Sequence, residues 1–265
     1  MPDGDGGERE RRDPQAWRDA LTASVAFFTR LDVGATSAAP LAQAVMGFAP
    51  AGALIGVAVG LAYLLGLAFG LPPLPAALAA VAIGVALTGG LHEDGLADCA
   101  DALGARGGPE QKLAVMRDAR NGSFANLALI FSVGLRASAL ATLDGGAALA
   151  ACIGAHALSR AYLPSVMAQQ PLARADGMAA AAGKPDEASA RNALIVGLIV
   201  AMASGVLFSI AGSILAVLLG ILAMAATSAL ARRAFGGYTG DVLGATQQCG
   251  EAAILLAWAL AIGGT

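Results

Sequence analysis

Charge is what this chain has least of. Asp, Glu, Lys and Arg together make up 13% of its 265 residues, against about 25% in an ordinary soluble domain. With 57% hydrophobic residues and a mean hydropathy of +0.68, the composition excludes a soluble globular domain and reads as an integral membrane protein. Cysteine is scarce as well. Cys99, Cys152 and Cys249 are far apart and form no CxxC pair, which excludes a disulfide framework or a cysteine-bound zinc; Cys99 reads as a small packing residue. No Walker-type glycine-rich loop is present, so P-loop nucleotide hydrolysis is not indicated. The apolar run near the N-terminus is too short, and lacks the small-residue cleavage pattern, for a signal peptide. The net charge of −3 identifies no partner, and no nucleic acid is expected.

What the chain does have is apolar segments. Residues 1–15 read as a disordered leader of Gly, Asp, Glu and Arg, and residues 16–265 as one membrane-embedded catalytic domain. An interfacial helix over 17–30 is expected, anchored by Trp17, Phe27 and Phe28. Seven apolar segments follow, near 45–68, 74–91, 125–143, 147–168, 193–210, 213–230 and 252–262. The last is short for a span of about 20 residues, and a start near Val242 would bring Asp241 into its first turn. Fourteen of the sixteen Lys and Arg residues lie before residue 41 or in the stretches 92–124, 169–192 and 231–241, while the intervening turns hold none. By the positive-inside rule the N-terminus and those three loops are cytoplasmic. The expected fold is an all-α polytopic bundle of six to seven transmembrane helices in hairpins, with every polar motif on the cytoplasmic side. The other two basic residues, Arg136 and Arg160, fall within apolar segments. An unpaired charge in lipid costs a few kcal/mol or more, so each should face the bundle interior and find an anion.

Within this apolar background, residues 92–101 hold His92, Glu93, Asp94, Asp98 and Asp101. Asp94, Asp98 and Asp101 are spaced i, i+4, i+7, which places them within an arc of about 60° on a helix. Three carboxylates on one face repel, and one is driven to protonate unless a cation sits among them. Hard oxygen ligands suit Mg²⁺ or Mn²⁺. Gly89-Gly90 allow a break that would turn His92 toward the site, and Glu93, about 100° from Asp94, reads as solvated. Arg117 and Arg120, at i, i+3 on one helix face before a polar loop, read as a phosphate cradle or as membrane anchors. Asp241, after Gly236-Gly237 and before Gln248 and Glu251, reads as a helix N-cap or as a further acidic group of the site. His156 reads as a satisfied core histidine, and Arg160 as a phosphate ligand or a buried ion-pair partner. Carboxylates for Mg²⁺, arginines for phosphates and no evident covalent nucleophile are the equipment of phosphoryl transfer.

The runs GGLHEDGLADCADALG (residues 89–104), MRDARNGS (116–123), HALSR (156–160) and GGYTGDVLGA (236–245) resemble, in order and spacing, the motifs of the cobalamin synthase family, the adenosylcobinamide-GDP ribazoletransferases. The resemblance runs from about Phe27 to the C-terminus. It implies that a hydroxyl of α-ribazole, or of its 5′-phosphate, attacks the cobinamide phosphate of adenosylcobinamide-GDP, releasing GMP and forming adenosylcobalamin or its 5′-phosphate. It also implies Mg²⁺, a multi-pass protein of the cell inner membrane, contact with membrane lipid, and a cytoplasmic active site. Asp94, Asp98 and Asp101 would bind metal, Asp241 and His92 would complete the catalytic set, and Arg117, Arg120 and Arg160 would hold the diphosphate. Homo-oligomers or association with other cobalamin-pathway proteins stay open. The chain departs from the family pattern at Glu93, where an apolar residue is usual, at Phe124-Ala125, where a glycine usually follows the aromatic position, and at Gln248, where glutamate is common. Two other readings compete: a CDP-alcohol phosphatidyltransferase, whose DGxxAR pattern Cys99 breaks, and a transporter, against which the bare outer turns argue.

Overall fold

The computed structural model describes residues 14–34, 40–118 and 120–263. The leader expected over residues 1–15 therefore lies, but for Pro14 and Gln15, outside the described residues. Among the described residues the regular structure is helical, apart from one isolated parallel bridge between Leu172 and Tyr238. The helices are α1 (Pro14–Phe28), α2 (Phe48–Ala68, led in by two 3₁₀ turns), α3 (Pro73–Thr88), α4 (Leu91–Gly104), α5 (Pro109–Val115), α6 (Ser123–Ala141), α7 (Gly145–Gln169), α8 (Met178–Ala182), α9 (Glu187–Gly205), α10 (Ile210–Phe235) and α11 (Gly240–Ile262).

Among the described residues four helical segments are long and apolar enough to cross a membrane: Val45–Ala68, Ser123–Ala141, Glu187–Gly205 and Ile210–Phe235. A fifth arises if α3 and α4, bent by 94° at their junction, count as one span. The expected set of six to seven also included α7 and the last helix. Both form, and both are long, but they carry the polar side chains of the interior and are wrapped by the more apolar helices. The expected single segment 74–91 ends at Thr88, because Gly89 and Gly90 both adopt left-handed conformations (φ 69° and 70°). Only glycine takes that pair of angles without a Cβ penalty. The turn sends α4 off at 94° to α3.

The centre is α7, buried almost throughout from Ala147 to Ala168. Glycines let the neighbours close on it. A Cβ on Gly52 or Gly56 would lie 2.2 Å from the His156 carbonyl oxygen or 2.4 Å from that of Cys152, so α2 lies backbone to backbone on α7. Such contact replaces the hydrophobic drive that lipid does not supply. The hairpin expectation holds for α2 with α3 and for α9 with α10. It fails for α6 and α7, which share a tight turn but barely touch: α6 packs on α3, α4 and α11, whereas α7 packs on α2, α9 and α11. Phe28 is also not a surface anchor. It is fully buried, edge-on to Phe48 with ring centroids 4.8 Å apart.

Candidate active site

At one end of the bundle α4 crosses the first turns of α11. The crossing is tight because Gly95 and Gly244 face one another: a Cβ on Gly95 would sit 2.7 Å from the Asp241 carbonyl oxygen, and one on Gly244 3.1 Å from that of His92. This approach brings Asp94 and Asp98 of α4 beside Asp241 of α11. Asp98 carries the consequence. Its carboxyl is pushed up to about 6, first by burial and then by the charges of Asp94, Asp241 and Asp101, with Arg174 opposing. The repulsion expected from the sequence is present, and Asp241 adds to it.

Asp241 is not the cap of α11. Thr239 is, its hydroxyl accepting from the Val242 amide at 3.2 Å. That leaves the Asp241 carboxylate in the first turn to accept from Thr239 Oγ1 at 3.1 Å and from Arg174 Nη2 at 3.3 Å. Arg174 was counted in the sequence only as a loop charge. What places it is the Leu172–Tyr238 bridge, in which Tyr238 N donates to Pro171 O (3.0 Å) and Ala173 N to Tyr238 O (2.9 Å). Gly237 permits that approach, since a Cβ there would meet the Pro171 carbonyl at 2.2 Å. The glycine pair at 236–237 was the available signal, but its partner loop lies far away in sequence.

Asp101 is turned to a different task. Its two carboxylate oxygens accept from the backbone amides of Gly122 and Ala125 at the start of α6, where a negative charge also complements the helix dipole. Arg117 and Arg120 do not share a helix face, because α5 ends at Val115. Arg117 Nη2 donates to both carboxylate oxygens of Asp176 at 2.8 Å, and Arg174 Nε lies 3.9 Å from the same carboxylate. Arg120, its side chain 88% exposed, pairs with Asp118, whose carboxyl its hydrogen bonds hold down at about 2. Arg160 is not brought to these arginines.

Arg160 and Arg136 instead sit in a buried network. Arg136 bridges Glu251 (2.9 Å) and Glu93 (3.1 Å). Glu251 also takes His156 Nδ1 at 3.1 Å and Gln247 Nε2 at 2.6 Å, with Arg160 Nη1 at 3.8 Å. Both arginines thus find their anions, as lipid burial demands, but the anions are glutamates rather than motif aspartates. Glu93 is therefore not solvated; α6 covers its side of α4. Glu93 is also met by Gln248, whose Nε2 donates to Glu93 Oε1 at 3.2 Å. His156 is the satisfied core residue expected.

Mg²⁺ was expected on the aspartates. Hard carboxylate oxygens fit such an ion, and the crowding of Asp94, Asp98 and Asp241 around one crossing is the electrostatic condition for one. Among the described residues, however, no three His, Cys, Asp or Glu side chains converge closely enough to hold a metal, and Asp101 is engaged with α6.

Comparison with known proteins settles the affiliation. Residues 20–259 match the family described as cobalamin-5-phosphate synthase. The chain belongs to that family. It is 43% identical over 242 residues to the adenosylcobinamide-GDP ribazoletransferase of Bradyrhizobium diazoefficiens, covering 89% of this chain and 91% of the relative. The enzyme of that name from Azorhizobium caulinodans is 42% identical over 248 residues, covering 88% and 92%. That from a Sinorhizobium species is 40% identical over 258 residues, covering 92% and 97%. No solved structure matches the chain. The match to the cobalamin-5-phosphate synthase family runs from within α1 through most of α11, so the crossing of α4 with α11, the charged loops between them and the buried network all lie inside the matched region.

Proposed function

We propose that this chain is the adenosylcobinamide-GDP ribazoletransferase of its source, acting at the cytoplasmic face of the inner membrane. The observation that carries the reading is the crowding of negative charge on Asp98 by Asp94 and Asp241 at the α4–α11 crossing, in a chain whose relatives bear that name. A ribose hydroxyl oxygen of α-ribazole, or of its 5′-phosphate, forms a bond to the cobinamide-linked phosphorus. The bridging P–O bond breaks, GMP leaves, and a carboxylate of the cluster takes the hydroxyl proton. One or two of the carboxylates Asp94, Asp98 and Asp241, together with the substrate phosphates, would hold Mg²⁺, which when bound neutralises charge on the reacting phosphates. Arg174 and Arg117, linked through Asp176, are placed to clamp the diphosphate, and Arg120, exposed and paired with Asp118, would have to exchange that partner to join them. Arg160, enclosed beside Glu251, Phe28 and His156, serves the reading better as a buried anchor than as a phosphate ligand. Asp101 fixes α6 against α4. The basic loops, gathered at the end that holds the carboxylates, support the cytoplasmic assignment.

The test is turnover by the purified full chain in lipid nanodiscs, given adenosylcobinamide-GDP, α-ribazole and Mg²⁺. GMP and adenosylcobalamin should form together, in equal amounts. Inactivity with this pair, combined with turnover of a CDP-activated lipid and an alcohol, would transfer the chain to the phosphatidyltransferases.

A further inference from the structure

Beside the carboxylates, between α1, α2, α7, α8 and the first turns of α4 and α11, lies a cavity holding about 610 Å³ of empty space, part of it open to solvent. Its wall is apolar and aromatic, built from Phe27, Phe28, Phe48, Leu163, Met167 and Met178 among others. Among the described residues the ionisable groups lining it are His92, Asp94 and Asp241, with no lysine or arginine. The apolar wall offers a phosphate no cation of its own. Guanine is a poor occupant because its polar edge would lose water with few donors and acceptors in exchange. A corrin with its amide arms is too large for the space. What fits is a flat, uncharged, apolar ring system, packed by aromatic rings and by the soft sulfurs of Met167 and Met178. One polar contact is offered. His92 is 3% exposed, and its Nδ1 has no hydrogen-bond partner in the protein, so a ligand bearing a single heteroatom would satisfy it.

We propose that this cavity binds the heteroaromatic base of the nucleoside acceptor, a bicyclic benzimidazole-type ring, with His92 meeting its ring nitrogen and the sugar hydroxyls held at Asp94 and Asp241. The inference rests on the ribazoletransferase reading and adds where the acceptor sits and what selects it: apolar shape on one side, carboxylates on the other. It also orders the site, with the acceptor entering from the α1–α8 side and the diphosphate from the side of Arg174 and Arg117.

The experiment uses the full chain in nanodiscs and benzimidazole itself as the probe. Benzimidazole should inhibit competitively against α-ribazole and not against adenosylcobinamide-GDP. Ala179→Phe, which fills the cavity from α8, should raise both the KM for α-ribazole and the inhibition constant of benzimidazole by about tenfold or more, leaving the KM for adenosylcobinamide-GDP within about twofold. Binding of benzimidazole is read in parallel as a thermal shift of wild type, lost in Ala179→Phe, so the cavity is tested even if turnover is absent. An active wild type with no benzimidazole competition, or an Ala179→Phe enzyme whose KM rises for adenosylcobinamide-GDP instead, overturns the proposal and leaves the transferase reading standing. Benzimidazole binding at the cavity in a chain without transferase turnover would remove the proposed function and keep the site.

Discussion

Arg174 Nη2 donates to Asp241 Oδ2 at 3.3 Å, joining a loop to a helix start 67 residues further along the chain. The contact holds a cation against the acidic cluster, and Arg174 Nη1 is buried with no partner of its own. A guanidinium with donors to spare beside three carboxylates is set to accept an anion when a metal takes over the carboxylates. Arg174→Gln should lower kcat/KM by about 10- to 100-fold, a loss of about 1.4–2.8 kcal/mol in transition-state stabilisation, mostly through the KM for adenosylcobinamide-GDP. Arg174→Lys should recover part of it. Steady-state kinetics with each substrate varied in turn gives the split.

The buried network predicts a cost of a different kind. Replacing Arg136 by Gln leaves Glu93 and Glu251 without the cation that bridges them, and stranding a buried charge costs about 3–5 kcal/mol. Denaturation in detergent should show that loss. Glu93→Gln should be milder, because Glu251 stays on Arg136. Since Gln248 already contacts Glu93, the pair Glu93→Gln with Gln248→Glu returns a carboxylate to the same space and should be more stable than Glu93→Gln alone.

How much of this was legible in the sequence depended on whether the cause was local. The helices, the inward arginines and the carboxylate arc follow from hydropathy, lipid energetics and a 3.6-residue period, all properties of short stretches. Glu93 was misplaced because a helical wheel shows which residues share a face but not which faces are covered; α4 is packed by α11 on one side and α6 on another. Asp101 was grouped with Asp94 and Asp98 for the same reason, although two amides of α6 claim it. Arg174 could not be found locally at all. Its position is set by the Leu172–Tyr238 bridge and the missing side chain of Gly237, features that exist only once α7 and α11 are side by side.

The crossing itself can be probed at Gly95. A methyl group there would lie 2.7 Å from the Asp241 carbonyl oxygen, which forces α4 and α11 apart. Gly95→Ala should fold, because alanine favours helix by about 1 kcal/mol over glycine, yet require more Mg²⁺ for half-maximal turnover as Asp94 and Asp98 move off Asp241. Serine at 95 should be worse than alanine. A Mg²⁺ titration of activity, set beside a melting curve, separates this effect from loss of fold.

The metal-free protein should respond to pH through Asp98. Its carboxyl is raised to about 6 in the fold, above the roughly 3.9 of an unfolded chain, so the folded state favours the protonated form. Stability is therefore fully present below about pH 4 as far as this group is concerned, and is lost as pH rises through 6. Melting temperatures in chelator should fall across that window. Asp98→Asn should flatten the slope, and added Mg²⁺ should reverse the loss at pH 7 and above.

The central claim is that the carboxylates at the α4–α11 crossing form the Mg²⁺-dependent centre of a ribazoletransferase. Its most direct test is turnover of adenosylcobinamide-GDP and α-ribazole by wild type, Asp94→Ala, Asp98→Ala and Asp101→Ala across a range of Mg²⁺ concentrations. The account predicts a loss of about 100-fold or more for Asp94→Ala and Asp98→Ala, with the Mg²⁺ requirement raised. Asp101→Ala should chiefly lower the melting temperature. Near wild-type turnover and an unchanged Mg²⁺ requirement in both Asp94→Ala and Asp98→Ala would contradict it.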